Sequence, residues 1–104
     1  MFGDFMGKLQ EAQQKMQEAK DKLADMTVEG EAGDGAVKVV LTGAREVKSI
    51  EVGEQLLAVD KKEELEDMLI IALNRALENA EKLHEEHMQG VAGNMLGGMG
   101  MGGF

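Results

Sequence analysis

Apolar residues recur at Phe5, Leu9, Ala12, Met16, Ala19, Leu23 and Met26, with spacings that alternate between four and three. This is a heptad seam, the narrow stripe by which one helix meets another rather than the broad face of a globular helix. Residues 1–26 are therefore predicted to form a helical arm. At Thr27 the period drops to two, with Val28, Gly30 and Ala32 alternating with Glu29 and Glu31, as a half-buried strand requires. Gly33-Asp34-Gly35 supplies the positive-φ residues of a tight hairpin. Val37-Lys38-Val39-Val40-Leu41 follows, β-branched and apolar on nearly both faces. After the turn Thr42-Gly43-Ala44-Arg45, a third strand runs from Glu46 to Val52 with Ile50 and Val52 on one face. Residues 27–52 thus predict a three-stranded antiparallel meander, both of whose outer strands must be covered or paired.

Beyond Gly53, Leu56-Leu57 reads as a short turn that tucks two leucines under the sheet. Asp60 with Glu63 resembles a capping-box start, and a second helix is predicted over 60–89. Its seam runs through Leu65, Leu69, Ala72 or Leu73, Ala76, Ala80, Leu83 and His87. Within it, Met68-Leu69-Ile70-Ile71-Ala72-Leu73 is the longest unbroken apolar run in the chain. Six consecutive side chains point all around a helix, so the run must be enclosed on every side. Val37, Val39 and Leu41 can supply one cover, and the other has to come from outside the subunit. From Gly90 onward, seven of fifteen residues are Gly and three are Met, so residues 91–104 are expected to form a flexible tail. The reading is one α+β domain over residues 1–90.

Charge changes the picture in one place. The chain carries a formal −9, and Asp plus Glu outnumber Lys plus Arg by 5 to 4 over residues 1–26, 6 to 3 over 27–59 and 9 to 4 over 60–104. Such a balance argues against a protein that coats nucleic acid over its whole surface, yet it permits a basic stripe on the nearly neutral arm. Lys8, Lys15 and Lys22 lie seven apart, each four residues after Asp4, Glu11 or Glu18. That order favours helical ion pairs, and the same lysines are the candidates for contact with a polyanion. Trp and Tyr are absent and Phe occurs only at 2, 5 and 104, which leaves few of the aromatic platforms that stacking single-stranded bases needs. With no Cys, neither disulfides nor thiolate metal sites are available and the redox compartment stays open; with no secretory apolar core and no membrane-length run, a cytoplasmic protein is expected.

Catalytic chemistry has little to work with. Ser49 is the only serine, and its strand context lacks the sharp turn and neighbouring base of an activated nucleophile. His84-Glu85-Glu86-His87 spaces its histidines three apart, whereas the zinc-peptidase helix needs His-Glu-x-x-His with the ligands four apart. They read as two surface histidines near a helix end. Gly30-Glu31-Ala32-Gly33-Asp34-Gly35 opens a strand, and a phosphate loop must open a helix. No enzyme activity, cofactor, metal or small-molecule substrate is expected.

The chain resembles the YbaB/EbfC family of bacterial nucleoid-associated proteins in an ordered set of stretches. These are Met1-Phe2-Gly3, Ala12-Gln13-Gln14-Lys15-Met16-Gln17, Gly35-Ala36-Val37-Lys38-Val39 and Glu46-Val47-Lys48-Ser49-Ile50-Glu51-Val52, then Leu65-Glu66-Asp67-Met68-Leu69 and Ala72-Leu73-Asn74-Arg75-Ala76. Where the family has Asp-Pro after the third strand, this chain has Gly53-Glu54. The resemblance implies a tweezer-like homodimer whose protruding helices touch double-stranded DNA with little sequence preference, in the nucleoid and without catalysis. On that basis Lys8, Lys15, Lys20 and Lys22 are the expected DNA contacts, with Lys38, Arg45 and Lys48 as an alternative patch on the sheet. Met68, Leu69, Ile71 and Ala72 are the expected dimer interface. The competing expectation is an acidic protein-interaction module whose second helix or tail docks a partner and whose DNA binding is weak or indirect.

Overall fold

The computed structural model describes the backbone of residues 2–98 and the side chains of residues 3–93. Helix α1 spans Phe2–Asp25, strands β1, β2 and β3 span Thr27–Ala32, Val37–Thr42 and Val47–Val52, and helix α2 spans Lys62–Gly98. The strands form one antiparallel sheet in the order β1-β2-β3. Gly33, Asp34 and Gly35 all take positive φ, as the hairpin required. At the second turn Arg45 takes φ 66°, a conformation that costs a side chain with a Cβ about 1–2 kcal/mol and suits Gly or Asn better. Backbone bonds fix it there, since Arg45 N–H donates to the Thr42 carbonyl at 2.9 Å and Thr42 N–H to that of Glu46 at 2.8 Å.

The sheet's core face is read directly from its register. Val37, Val39 and Leu41 are fully buried and cluster with Ala72, Ala76 and Ala80 of α2. Small side chains on the helix let it lie close, and Gly30 in β1 brings it closer still. A Cβ at Gly30 would run into the Ala72 carbonyl oxygen and the Ala76 amide nitrogen. Ala72 therefore faces its own sheet and is enclosed within the subunit, which removes it from the expected dimer interface. Met68 and Leu69 are half-buried against the same core, and Ile71 remains 44% exposed.

On the β1 side, α2 closes an otherwise open strand edge. Arg75 Nη1 donates to the Glu31 carbonyl and Asn79 Nδ2 to the Glu29 carbonyl, each at 2.7 Å. Replacing both Arg75 and Asn79 by Ala is expected to lower the melting temperature by roughly 4–8 °C, from about 1 kcal/mol of net stabilisation and the usual conversion for a chain of this size. Differential scanning calorimetry reads this directly, and an unchanged transition would show that solvent replaces both bonds.

The β3 side differs. Val47 pairs with Leu41, Ile50 with Val39 and Val52 with Val37, and directly opposed residues share a face. Val52 is half-buried against the core, yet Val47 is 54% and Ile50 51% exposed, so the core face of β3 is uncovered in its own chain at those two positions. On α2 the flank opposite Arg75 and Asn79 carries Ile70, Leu73 and Leu77, at 59%, 36% and 37% exposure. The run from Met68 to Leu73 thus has one cover inside the subunit.

Three local expectations need correction. Leu56 is buried as expected, but Leu57 is exposed. Asp60 lies inside a 3-10 turn, Val59–Lys61, that precedes α2, and the cap position of that turn is Ala58, with no side-chain hydrogen bond. The second helix also passes Gln89 and continues to Gly98, through residues 90–98 that composition assigned partly to a flexible tail. Val91, Ala92 and residues 94–96 separate the glycines, each of which costs about 1 kcal/mol in a helix. A helix already nucleated and seated on α1 near His87 and Val91 can absorb that. Residues 99–104 of the expected tail lie outside the described residues.

The two helices pair into an arm. Ala19 and Leu23 of α1 are buried, and with them the later half of α2 lies alongside α1. The molecule measures 70 × 25 × 16 Å, so the arm projects well beyond the sheet. Phe5 and Leu9, the first two members of the heptad seam, are exposed.

Candidate nucleic-acid interface

Lys8, Lys15, Lys20 and Lys22 are all exposed on α1. The ion pairs suggested by their spacing from Asp4, Glu11 and Glu18 do not form. Among the described residues the salt bridges are Lys38–Glu29, Lys61–Glu64 and Lys62–Glu66. The i,i+4 contact that α1 does make joins Gln17 Nε2 to Asp21 Oδ1 at 3.1 Å. Freely rotating exposed pairs gain little over solvated charges, so the ammonium groups remain available to an outside anion. At 3.6 residues per turn, Lys8, Lys15 and Lys22 follow one flank of the seam and Lys20 the other. Lys15 and Lys22 line a small groove with Glu18, Ala19, His87 and Val91.

The alternative patch does not assemble. Lys38 Nζ sits 3.2 Å from Glu29 Oε1, and the hydrogen bond and charge of Glu29 raise its pKa, with Glu51 and Glu31 adding to the effect. Its positive charge is thus answered on the sheet. Lys48 occupies the irregularity where the register passes from Val40–Ser49 to Leu41–Val47, the extra residue of a bulge. Arg45 leaves both and joins α1: it lines a cleft of about 320 Å³ with Lys20, Leu23, Gly43, Ala44 and His84.

Gly43 holds that junction together. Its N–H donates to the Met26 carbonyl at 2.9 Å, and a Cβ there would meet the backbone of Leu23. The turn is thereby fastened to the end of α1, and Arg45 is delivered beside Lys20. His84 was missed as a partner in sequence, where it reads as one of two surface histidines. Nothing local marks it, since residues 20, 45 and 84 converge only through packing. Both histidines are half-buried, and His87 Nε2 is enclosed without a hydrogen-bond partner.

Among the described residues no group of three or more His, Asp or Glu side chains is placed to hold a metal ion, and no helix is long and apolar enough to cross a membrane. The arrangement offers exposed cations on an arm, beside an acidic body, and an apolar surface along β3 and α2.

Comparison with known proteins gives these features a context. The profile of the YbaB/EbfC DNA-binding family matches residues 1–95. The chain is 41% identical over 88 residues to a nucleoid-associated protein of Chloroflexus aurantiacus, covering 85% of this chain and 88% of the relative. It is 40% identical over 100 residues to one of Chlorobium phaeobacteroides, covering 96% and 88%, and 39% identical over 87 residues to one of Flavobacterium johnsoniae, covering 84% and 80%. Among solved structures, an uncharacterized protein of Helicobacter pylori aligns with a TM-score of 0.70 and 27% identity, covering 92% of this chain and 97% of that one.

Proposed function

The chain belongs to the YbaB/EbfC DNA-binding family, and from that membership we propose that it binds double-stranded DNA as a homodimer, through phosphate contacts and with low sequence specificity. The observation that carries this reading is the arm. It is the one segment near electrical neutrality, with 5 acidic against 4 basic residues, and its four lysines are exposed and make no salt bridge among the described residues. A dimer carries twice −9, or −18, so its body repels DNA and contact must fall to a part that stands away from it. Phosphate contacts position a protein without reading bases. They also make affinity fall steeply as salt rises.

The relatives' names, nucleoid-associated protein, support a place in the bacterial cytoplasm on the nucleoid. The uncovered side chains Val47, Ile50, Ile70, Leu73 and Leu77 support a second copy as the missing cover, because a contiguous apolar patch of this kind marks an interface.

Changing Lys8, Lys15 and Lys22 together to Glu is expected to reduce gel-shift affinity for random duplex DNA by about tenfold or more at low salt, and to flatten the salt dependence. Unaltered affinity would remove the arm from the interface. A wild-type protein that captures a protein partner and never shifts duplex DNA would favour the acidic interaction module instead.

A further inference from the structure

We infer that the cleft where Lys20 of α1, Arg45 of the β2–β3 turn and His84 of α2 meet is a phosphate-binding site, which grips a backbone phosphate of duplex DNA at the root of the arm. The inference rests on the DNA reading above and adds to it a fixed contact point and a dependence on pH.

Four features of the cleft lead there. Its lining brings together a cation from each of two elements and an imidazole from a third, and no carboxylate lines it. Carboxylates face Arg45 from its other side, where Glu78 and Glu81 of α2 line a neighbouring cleft with Asn74 and Leu77. Neither Lys20 nor Arg45 forms a salt bridge among the described residues. Finally, Arg45 stands at φ 66°, where the backbone would be better served by glycine. A residue held in a disfavoured conformation by its surroundings is a pointer to what its side chain does, and a guanidinium is suited to bind phosphate through two parallel N–H bonds.

The site is also preorganised. Gly43 fastens the turn to the end of α1, so Lys20 and Arg45 keep their separation before DNA arrives. The lysines further out on the arm have no such anchoring. His84 gives the site its pH response. An imidazole changes charge between about pH 5 and 8, and its protonated form adds a positive charge beside the phosphate. Phosphate binding therefore favours the protonated form, and affinity rises as pH falls. The charged groups around His84 are Lys20 and Arg45 within the cleft, Glu81 one turn before it and Glu85 beside it on α2, with Glu78 a turn further back along the same helix near Arg45.

The test uses full-length protein, with its oligomeric state checked by sedimentation, and random-sequence duplex DNA followed by fluorescence anisotropy. Arg45→Gly removes the guanidinium while suiting the backbone, so this variant should melt no lower than wild type. It should bind several-fold more weakly, and equally so on A·T-rich and G·C-rich duplexes. The slope of log affinity against log salt should shrink by about 0.9 for each phosphate no longer neutralised. Lys20→Ala should weaken binding in the same way. The chain has two histidines, so His84→Gln should flatten the gain in affinity between about pH 7 and pH 5.5, whereas His87→Gln should leave it in place. Arg45→Gly and His84→Gln variants that bind as wild type does, with the same salt slope and pH profile, would overturn this site and leave the DNA reading standing. Wild-type protein with no affinity for the duplex would overturn both.

Discussion

Gly30→Ala is expected to lower the melting temperature by about 12 °C or more, through a single added methyl group. The cause lies in what that methyl meets. Adding volume to a packed core typically costs about 1–3 kcal/mol, because neighbouring side chains can turn aside. At Gly30 the obstacles are the carbonyl oxygen of Ala72 and the amide nitrogen of Ala76, and backbone atoms inside a helix cannot turn aside. Helix α2 must lift from β1. Lifting it uncovers Val37, Val39 and Leu41 and pulls Arg75 and Asn79 from the strand carbonyls they hold. A loss of about 3 kcal/mol, at roughly 4–8 °C for each kcal/mol in a chain of this size, gives the stated shift. Circular dichroism melting checks it. An alanine variant that melts within about 3 °C of wild type would mean that the helix and strand do not approach this closely.

The second large effect concerns assembly rather than folding. Leu73→Asp and Ile50→Asp each place a carboxylate where the single chain is still open to solvent, at 36% and 51% exposure. The subunit should keep its helical signal. In a two-fold dimer the same patch occurs on both copies, so each substitution buries two unpaired charges, at several kcal/mol each. Dissociation constants should rise by at least a hundredfold, and sedimentation at micromolar concentration should find monomer. DNA affinity should fall with it, since two arms joined in one particle bind with a higher effective concentration than one. Dimers that persist in both variants would place the subunit contact elsewhere. Ala72→Asp is the informative contrast, because Ala72 is fully buried in the subunit's own core, so that change should prevent folding itself.

Much of this architecture can be read from the sequence because its periods are unmixed. The four-three spacing from Phe5 to Met26, the alternation from Thr27, and Gly33-Asp34-Gly35 all report local backbone geometry, and each element stands where they put it. The core strand was legible too, since Val37, Val39 and Leu41 could point only one way. The apolar run in α2 asks for more cover than its own sheet can give, and its exposed flank agrees with that. Which residues faced which cover was not legible, because that depends on how closely α2 approaches Gly30. Ala72 consequently moved from the expected interface to the core, and Ile70, Leu73 and Leu77 emerged as the exposed flank.

Electrostatic detail was less accessible. Lysine spacing along α1 satisfied the rule for helical ion pairs, and the pairs did not form, because spacing brings two groups within reach without fixing their rotamers. Lys38, Arg45 and Lys48 looked like one patch on adjacent strands. A bulge at Lys48, a glutamate beside Lys38 and a left-handed backbone at Arg45 dispersed them. The convergence of Lys20, Arg45 and His84 is a property of the packed chain alone, set by Gly43 against Leu23.

The unequal treatment of the two sides of the sheet bears on how far self-association can run. Arg75 and Asn79 occupy the outward carbonyls of β1, while β3 and the neighbouring flank of α2 keep their bonding capacity and apolar surface. A subunit with two reactive sides would be a monomer for polymerisation, adding copies without limit. One with a single reactive side is consumed by its first partner. On the proposed assembly, those two side chains act as a chain terminator, and they hold the protein to particles of finite size.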